Sequence, residues 1–374
     1  MEVKKIGLLT LPLIDNYGGI IQLTALNHYL QSQGYETVHL NKRYKISSFK
    51  AFVRVVLKWN PLFKLFDFKN HARKDRYITH LNSFISREFP TATSSIYTSK
   101  ELSEKVNQLN LDAVIVGSDQ VWRMLYIKDN YKDYFLSFVD SERTKKIAYA
   151  ASFGLDVWEQ PDVVSVVKIL LKDFTSVGVR EDTAVGICEN TFDIRKVNHV
   201  LDPTFLPELK YYDSIIEKEY STKKDIRLFN YVLDKSVQKE KIINEVSGYF
   251  QLDVDSIYLE NNIEQLKKIK TFKPSMGEWL YHFKNANFII TDSFHGTVFS
   301  IIFNKQFLTI GNKARGLTRF TSLLKALGLL DRLIVEGNEN YDEIVKVKID
   351  YNTVNEKLAD LRALSKAFLK HSLS

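Results

Sequence analysis

The feature that most narrows the fold is a repeated hand-over. A short apolar run, too short for a buried helix, ends in glycine or polar residues, and an amphipathic segment follows. Residues 5–10 begin the pattern, followed by Asp15-Asn16-Tyr17-Gly18-Gly19 and a segment to Gln33 in which Leu23, Leu26 and Leu30 share one helical face. Gly34 stops that helix, and residues 37–40 read as the next strand. Strand, helix, strand with glycines at the first turn is a βαβ opening, which implies a parallel sheet with its ligands at the carboxyl ends of the strands. Residues 113–116, 147–151, 176–179 and 199–201 repeat the run, and so do 227–233, 256–259, 288–291 and 307–310.

A chain of 374 residues exceeds what one core usually serves, so two domains are expected. The expected fold is α/β: two Rossmann-like domains, 1–205 and 206–350, facing across a cleft in the GT-B manner. The tyrosine-rich charged stretch 210–224 reads as the boundary region. Leu358, Leu361 and Leu364 give 351–374 a helical stripe, expected to close the structure. The single cysteine, Cys188, excludes an intrachain disulfide and a thiolate metal cluster and fits a reducing compartment. The amino terminus lacks a secretory signal and no apolar run approaches the roughly 18 residues of a membrane span, so a cytoplasmic, soluble or peripheral protein is expected.

The net charge of +7 points to nucleic acid, an anionic membrane or an anionic small substrate. Residues 43–87 concentrate it, interleaving lysines and arginines with Phe49, Phe52, Trp59, Phe63, Phe66 and Phe68. Such a helical insertion either lies on an anionic membrane or packs its apolar face on the protein. Nothing else in the sequence supports nucleic acid.

Four strand-to-helix turns carry candidate chemistry. Asn16, Tyr17, Gly18 and Gly19 offer either an anion site at a helix start or an ordinary tight turn; they lack the spacing of a dinucleotide fingerprint. Ser118, Asp119 and Gln120 emerge after a buried strand, with Asp119 orienting a hydroxyl, holding a histidine or capping a helix. Arg180 follows another strand and suits a carboxylate or phosphate, or an ion pair with a neighbouring acid. The sharpest candidate is Asp292-Ser293-Phe294-His295-Gly296, where His295 could donate a proton near neutral pH. Asn312, Lys313, Arg315 and Arg319 form a cationic cluster downstream, suited to a phosphate or simply solvated. No metal-ligand spacing, nucleophile elbow or P-loop occurs, so no metal is expected.

With these motifs in this order, the chain resembles the polysaccharide pyruvyl transferases. The resemblance rests on Thr10-Leu11-Pro12 through Gln22, Gly117 through Trp122, Val179-Arg180-Glu181 and Thr291 through Gly296. Many family members carry Asp-Arg-x-His-Gly where this chain has Asp292-Ser293-Phe294-His295-Gly296. The resemblance implies phosphoenolpyruvate as donor substrate, no further cofactor, and a sugar acceptor in a cell-surface or lipid-linked glycan at the inner membrane face. It also implies a cyclic pyruvate ketal as product, with His295, Arg180 and Asp119 at the chemistry and Lys313 or Arg315 supplying the missing charge. A sugar-nucleotide glycosyltransferase of the same architecture is the alternative.

Overall fold

The computed structural model describes residues 4–44, 76–257, 272–311, 316–335 and 341–374. Residues 45–75, the heart of the basic aromatic insertion, and 312–315, which include Lys313 and Arg315, lie outside the described residues.

Two parallel sheets carry the chain. The first contains β1 (Lys5–Leu9), β2 (Glu36–His39), β3 (Ala113–Gly117), β4 (Lys145–Ala151), β5 (Ser176–Val179) and β6 (Val197–His199) in the order β2-β1-β3-β4-β5-β6. The second contains β7 (Ile226–Tyr231), β8 (Val254–Asp255), β9 (Ala286–Thr291), β10 (Gln306–Gly311) and β11 (Leu333–Val335) in the order β11-β10-β9-β7-β8. Every residue of β3 is buried, as a central parallel strand covered on both faces requires. This is the α/β, GT-B-like arrangement that the repeated hand-over anticipates.

The departures from expectation are local. β6 ends at His199 because the Leu201 N–H is taken by Ser365 Oγ at 2.9 Å rather than by a neighbouring strand. β11 escapes sequence reading because it is a three-residue edge strand entered directly from a helical turn. The stretch expected as a boundary, 210–224, is largely the helix Leu209–Glu219, whose Tyr211, Tyr212, Ile215 and Ile216 are buried. It lies so close to the helix Met276–Asn285 that a Cβ on Gly277 would stand 2.8 Å from the Ile215 carbonyl oxygen.

A continuous apolar cluster runs from Ile6, Leu23 and Tyr149 of the first half through Phe205 and Tyr212 to Phe229, Trp279 and Phe299 of the second. The Tyr17 ring stacks on Trp279 at 5.2 Å, and its hydroxyl donates to the Pro274 carbonyl at 2.6 Å. The final helix, Tyr351–Leu373, returns from the second half to the first. Arg362 Nε donates to the Phe205 carbonyl at 2.7 Å, and Phe368 occupies the space a Cβ on Gly178 would need. Among the described residues no helix is long and apolar enough to cross a membrane.

Trp279 is fully buried where the two halves share their core. Replacing it with alanine is expected to destabilise the protein by about 3–5 kcal/mol, read as a shift in the urea unfolding midpoint. Both halves should unfold in one transition.

Candidate active site

In an open parallel sheet the ligand crevice lies where the strand order reverses, because adjacent connections there leave the sheet in opposite directions. The first sheet reverses between β1 and β3, the second between β7 and β9. The loops after those four strands meet. They line one cavity of about 320 Å³ with Thr10–Ile14, Asp119, Gln120, Leu233 and Asp292–His295, together with Asn16, Gly19, Tyr126, Arg319 and Phe320.

His295 enters from the second half, on the first turn of the helix Phe294–Ile302. Ser293 caps that helix by accepting from the Gly296 N–H at 3.3 Å. Gly296 itself faces the sheet, where a Cβ would fall 2.2 Å from Thr291 Oγ1; its smallness serves helix-on-strand packing. The Asp292 carboxylate is fully committed, accepting from the Leu233 and Asp234 N–H groups at 2.6 and 3.0 Å and from Lys239 Nζ at 2.8 Å. It ties the loop after β7 to the end of β9, which fixes the base from which His295 projects.

The imidazole reaches across to the first half. A Cβ on Gly18 would lie 2.1 Å from His295 Nδ1, so the ring sits directly on the backbone at the start of the helix Tyr17–Ser32. Nε2 is turned inward, buried and 3.6 Å from Asp202 Oδ2, outside hydrogen-bond reach.

Asp202, from the connection between the halves, is the hub. Its Oδ2 accepts from Arg180 Nη1 at 2.9 Å and Ser118 Oγ at 3.1 Å, while Oδ1 accepts from Thr204 N and Oγ1 at 3.1 and 2.8 Å. Burial alone would raise its pKa; the attraction of His295 and Arg180 and the Thr204 N–H overcome that and hold the carboxyl far below the usual carboxylate range. Arg180 is buried behind the cavity wall, stacked on Phe294 with Cζ 4.6 Å from the ring centre. The guanidinium that lines the cavity is Arg319, whose Cζ lies 5.3 Å from the same ring. Burial, then the nearby Arg180 charge, lowers its pKa to about 10, so it stays protonated at neutral pH.

Asp119 adopts φ +68°, an unfavourable conformation for a residue with a side chain, and lines the cavity with Oδ1 3.7 Å from Arg180 Nη2. Gly117, at the end of β3, lies against the neighbouring strand: at φ +140° a Cβ there would fall 2.0 Å from the Tyr149 carbonyl oxygen. Gln120 lines the cavity with Oε1 accepting from Arg123 Nη1 at 2.8 Å, and Asn16 lines it without capping its own helix. Ser118 and Tyr17 do not line it; the one holds Asp202 and the other joins the halves.

Comparison with known proteins agrees with this architecture. The family model for polysaccharide pyruvyl transferase matches residues 16–314. The chain belongs to the polysaccharide pyruvyl transferase family. A search of curated proteins gives no match. Among solved structures, a UDP-N-acetylglucosamine 2-epimerase from Rickettsia bellii superposes with TM-score 0.54 at 10% identity, covering 99% of this chain and 96% of that one. The S. aureus MnaA–UDP co-structure superposes with TM-score 0.51 at 12% identity, covering 96% and 88%. At such identities the likeness concerns the fold alone. Within this pyruvyl transferase, Asn16, Asp119, Arg180, Asp202 and His295 fall inside the matched stretch. Arg319 lies beyond it and reaches the site through the fold.

The sequence motifs do not single out Asp202, and Phe294 enters them only as part of Asp292–Gly296. The available signal was an aspartate just after an expected strand, where the other site residues also emerge.

Substituting Gly18 by alanine should push the imidazole out of place. We expect transferase activity to fall by about 100-fold or more with an unchanged far-UV circular dichroism spectrum.

Proposed function

We propose that this pyruvyl transferase takes phosphoenolpyruvate as donor and forms a cyclic pyruvate ketal on two hydroxyls of a sugar in a polysaccharide or a lipid-linked precursor, releasing phosphate. The observation that carries this reading is the pairing, in one cavity, of a histidine backed by a buried carboxylate with a buried arginine. The donor's carboxylate and phosphate need cationic neighbours in a site poor in water, and Arg319 and the starts of two helices supply them.

In this reading the imidazolium of His295, stabilised by Asp202, gives a proton to the methylene carbon of the donor. The adjoining carbon becomes electron-poor, stabilised by its oxygen. One sugar hydroxyl adds there and loses its proton to Asp119. Phosphate then leaves with the C–O bonding pair and takes up the proton held by Asp119, and the second hydroxyl adds and returns its proton to the His295 imidazole to close the ketal. Phosphoenolpyruvate plus a diol thus gives ketal plus phosphate, with no oxidant or reductant. Arg180 positions Asp202 and the Phe294 ring.

The test is to incubate the protein with phosphoenolpyruvate and a panel of galactosides and mannosides, following phosphate release and acceptor mass. A ketal adduct supports the reading; a hexose adduct from a sugar nucleotide would replace it. His295→Ala should lower phosphate release by about 100-fold or more. Arg319→Met should raise the KM for phosphoenolpyruvate by roughly tenfold or more, with a smaller effect on the acceptor.

A further inference from the structure

The cavity is chemically divided. Its inner part presents His295 and Arg319, 6% exposed each, at the starts of their helices. Its outer part is different: Leu11, Pro12 and Ile14 form an apolar lip, and Ile14 and Tyr126 line it with 40% of their surface exposed. An aromatic side chain this exposed within a cavity loses apolar burial unless a ligand covers it.

Tyr126 is also held in place. It lies in the short helix Met124–Ile127, with the Arg123 guanidinium 5.2 Å from its ring centre and its carbonyl accepting from Tyr44 Oη at 3.1 Å. Arg123 is itself fixed to Gln120 Oε1 at 2.8 Å, and Gln120 is wedged so tightly that a Cβ on Gly154 would fall 2.1 Å from that same oxygen. A rigid aromatic face beside Gln120, Asn16 and Asp119 combines the two contacts a pyranose needs: an apolar plate for its C–H face and planar polar groups for its hydroxyls.

We infer that Tyr126 and the lip of Pro12 and Ile14 form the acceptor subsite, with Tyr126 stacking on a pyranose ring of the glycan and Gln120 and Asn16 engaging its hydroxyls. The inference rests on the pyruvyl-transfer reading above and adds to it where the acceptor lies. The anionic donor occupies the inner, cationic end, so the acceptor's hydroxyls enter from the mouth and meet the donor between Asp119 and His295.

Saturation-transfer NMR with methyl β-D-galactopyranoside and methyl α-D-mannopyranoside tests the subsite without needing turnover. The wild-type protein should transfer saturation to the C–H protons of at least one hexoside. Tyr126→Ala should abolish that signal, Tyr126→Phe should keep it, and Tyr97→Ala, an exposed aromatic off the cavity, should leave it intact. Where the wild type turns over, Tyr126→Ala should raise the acceptor KM by roughly fivefold to tenfold and leave the affinity for phosphoenolpyruvate, read by calorimetry, unchanged. An unchanged acceptor signal in Tyr126→Ala, no signal from either hexoside in the wild type, or saturation transfer to UDP alone would overturn the subsite. Failure to bind phosphoenolpyruvate with the hexoside signal intact would overturn the donor assignment instead.

Discussion

A buried carboxylate held between an arginine and a histidine organises this molecule. Asp202 sits on the connection between the halves, bonded to Arg180 of the first and facing His295 of the second. An unpaired charge at that depth would cost several kcal/mol, and removing one partner of such a pair is strongly destabilising. The two halves cannot separate without exposing or orphaning it. Domain association and assembly of the site are therefore the same event, reinforced by the apolar cluster that runs through both sheets.

The tolerances around this hub are set by backbone rather than by side chains. Gly18 seats the imidazole, and Gly117 lets the end of β3 lie against the Tyr149 carbonyl. A methyl group at either place would meet an atom nearer than van der Waals contact permits. The sharp turns that bring polar groups to the cavity are thus possible only because these positions lack a Cβ. Asp292 complements them by saturating its carboxylate within the scaffold, so that His295 projects from a rigid strand end instead of a mobile loop.

Much of the fold was legible along the chain because a parallel strand buried on both faces is a short uninterrupted apolar run, and its helix follows within a few residues. β1, β3, β5 and β9 are plain for that reason. β11 is not, because three residues at a sheet edge carry too little pattern, and the helix Leu209–Glu219 is not, because its exposed face is dense in charge. For the site, motif position placed His295, Asp119 and Asn16 at the cavity. It did not separate residues that line the cavity from those that hold them: Arg180, Ser118 and Tyr17 share the same kind of strand-end or helix-start position, yet Arg180 Nη1 and the Ser118 hydroxyl are committed to Asp202 and the Tyr17 hydroxyl to Pro274.

The sequence by itself determined the two parallel sheets, the strand ends that carry polar residues and the family to which the chain belongs, since each depends on local patterns a few residues long. The tertiary structure decided which side chains meet. Arg180, Asp202 and His295 converge, and Arg319 and Tyr126 join one cavity, because two sheets pack at their switch points. That is a relation between residues far apart in the chain, and it leaves no periodic trace.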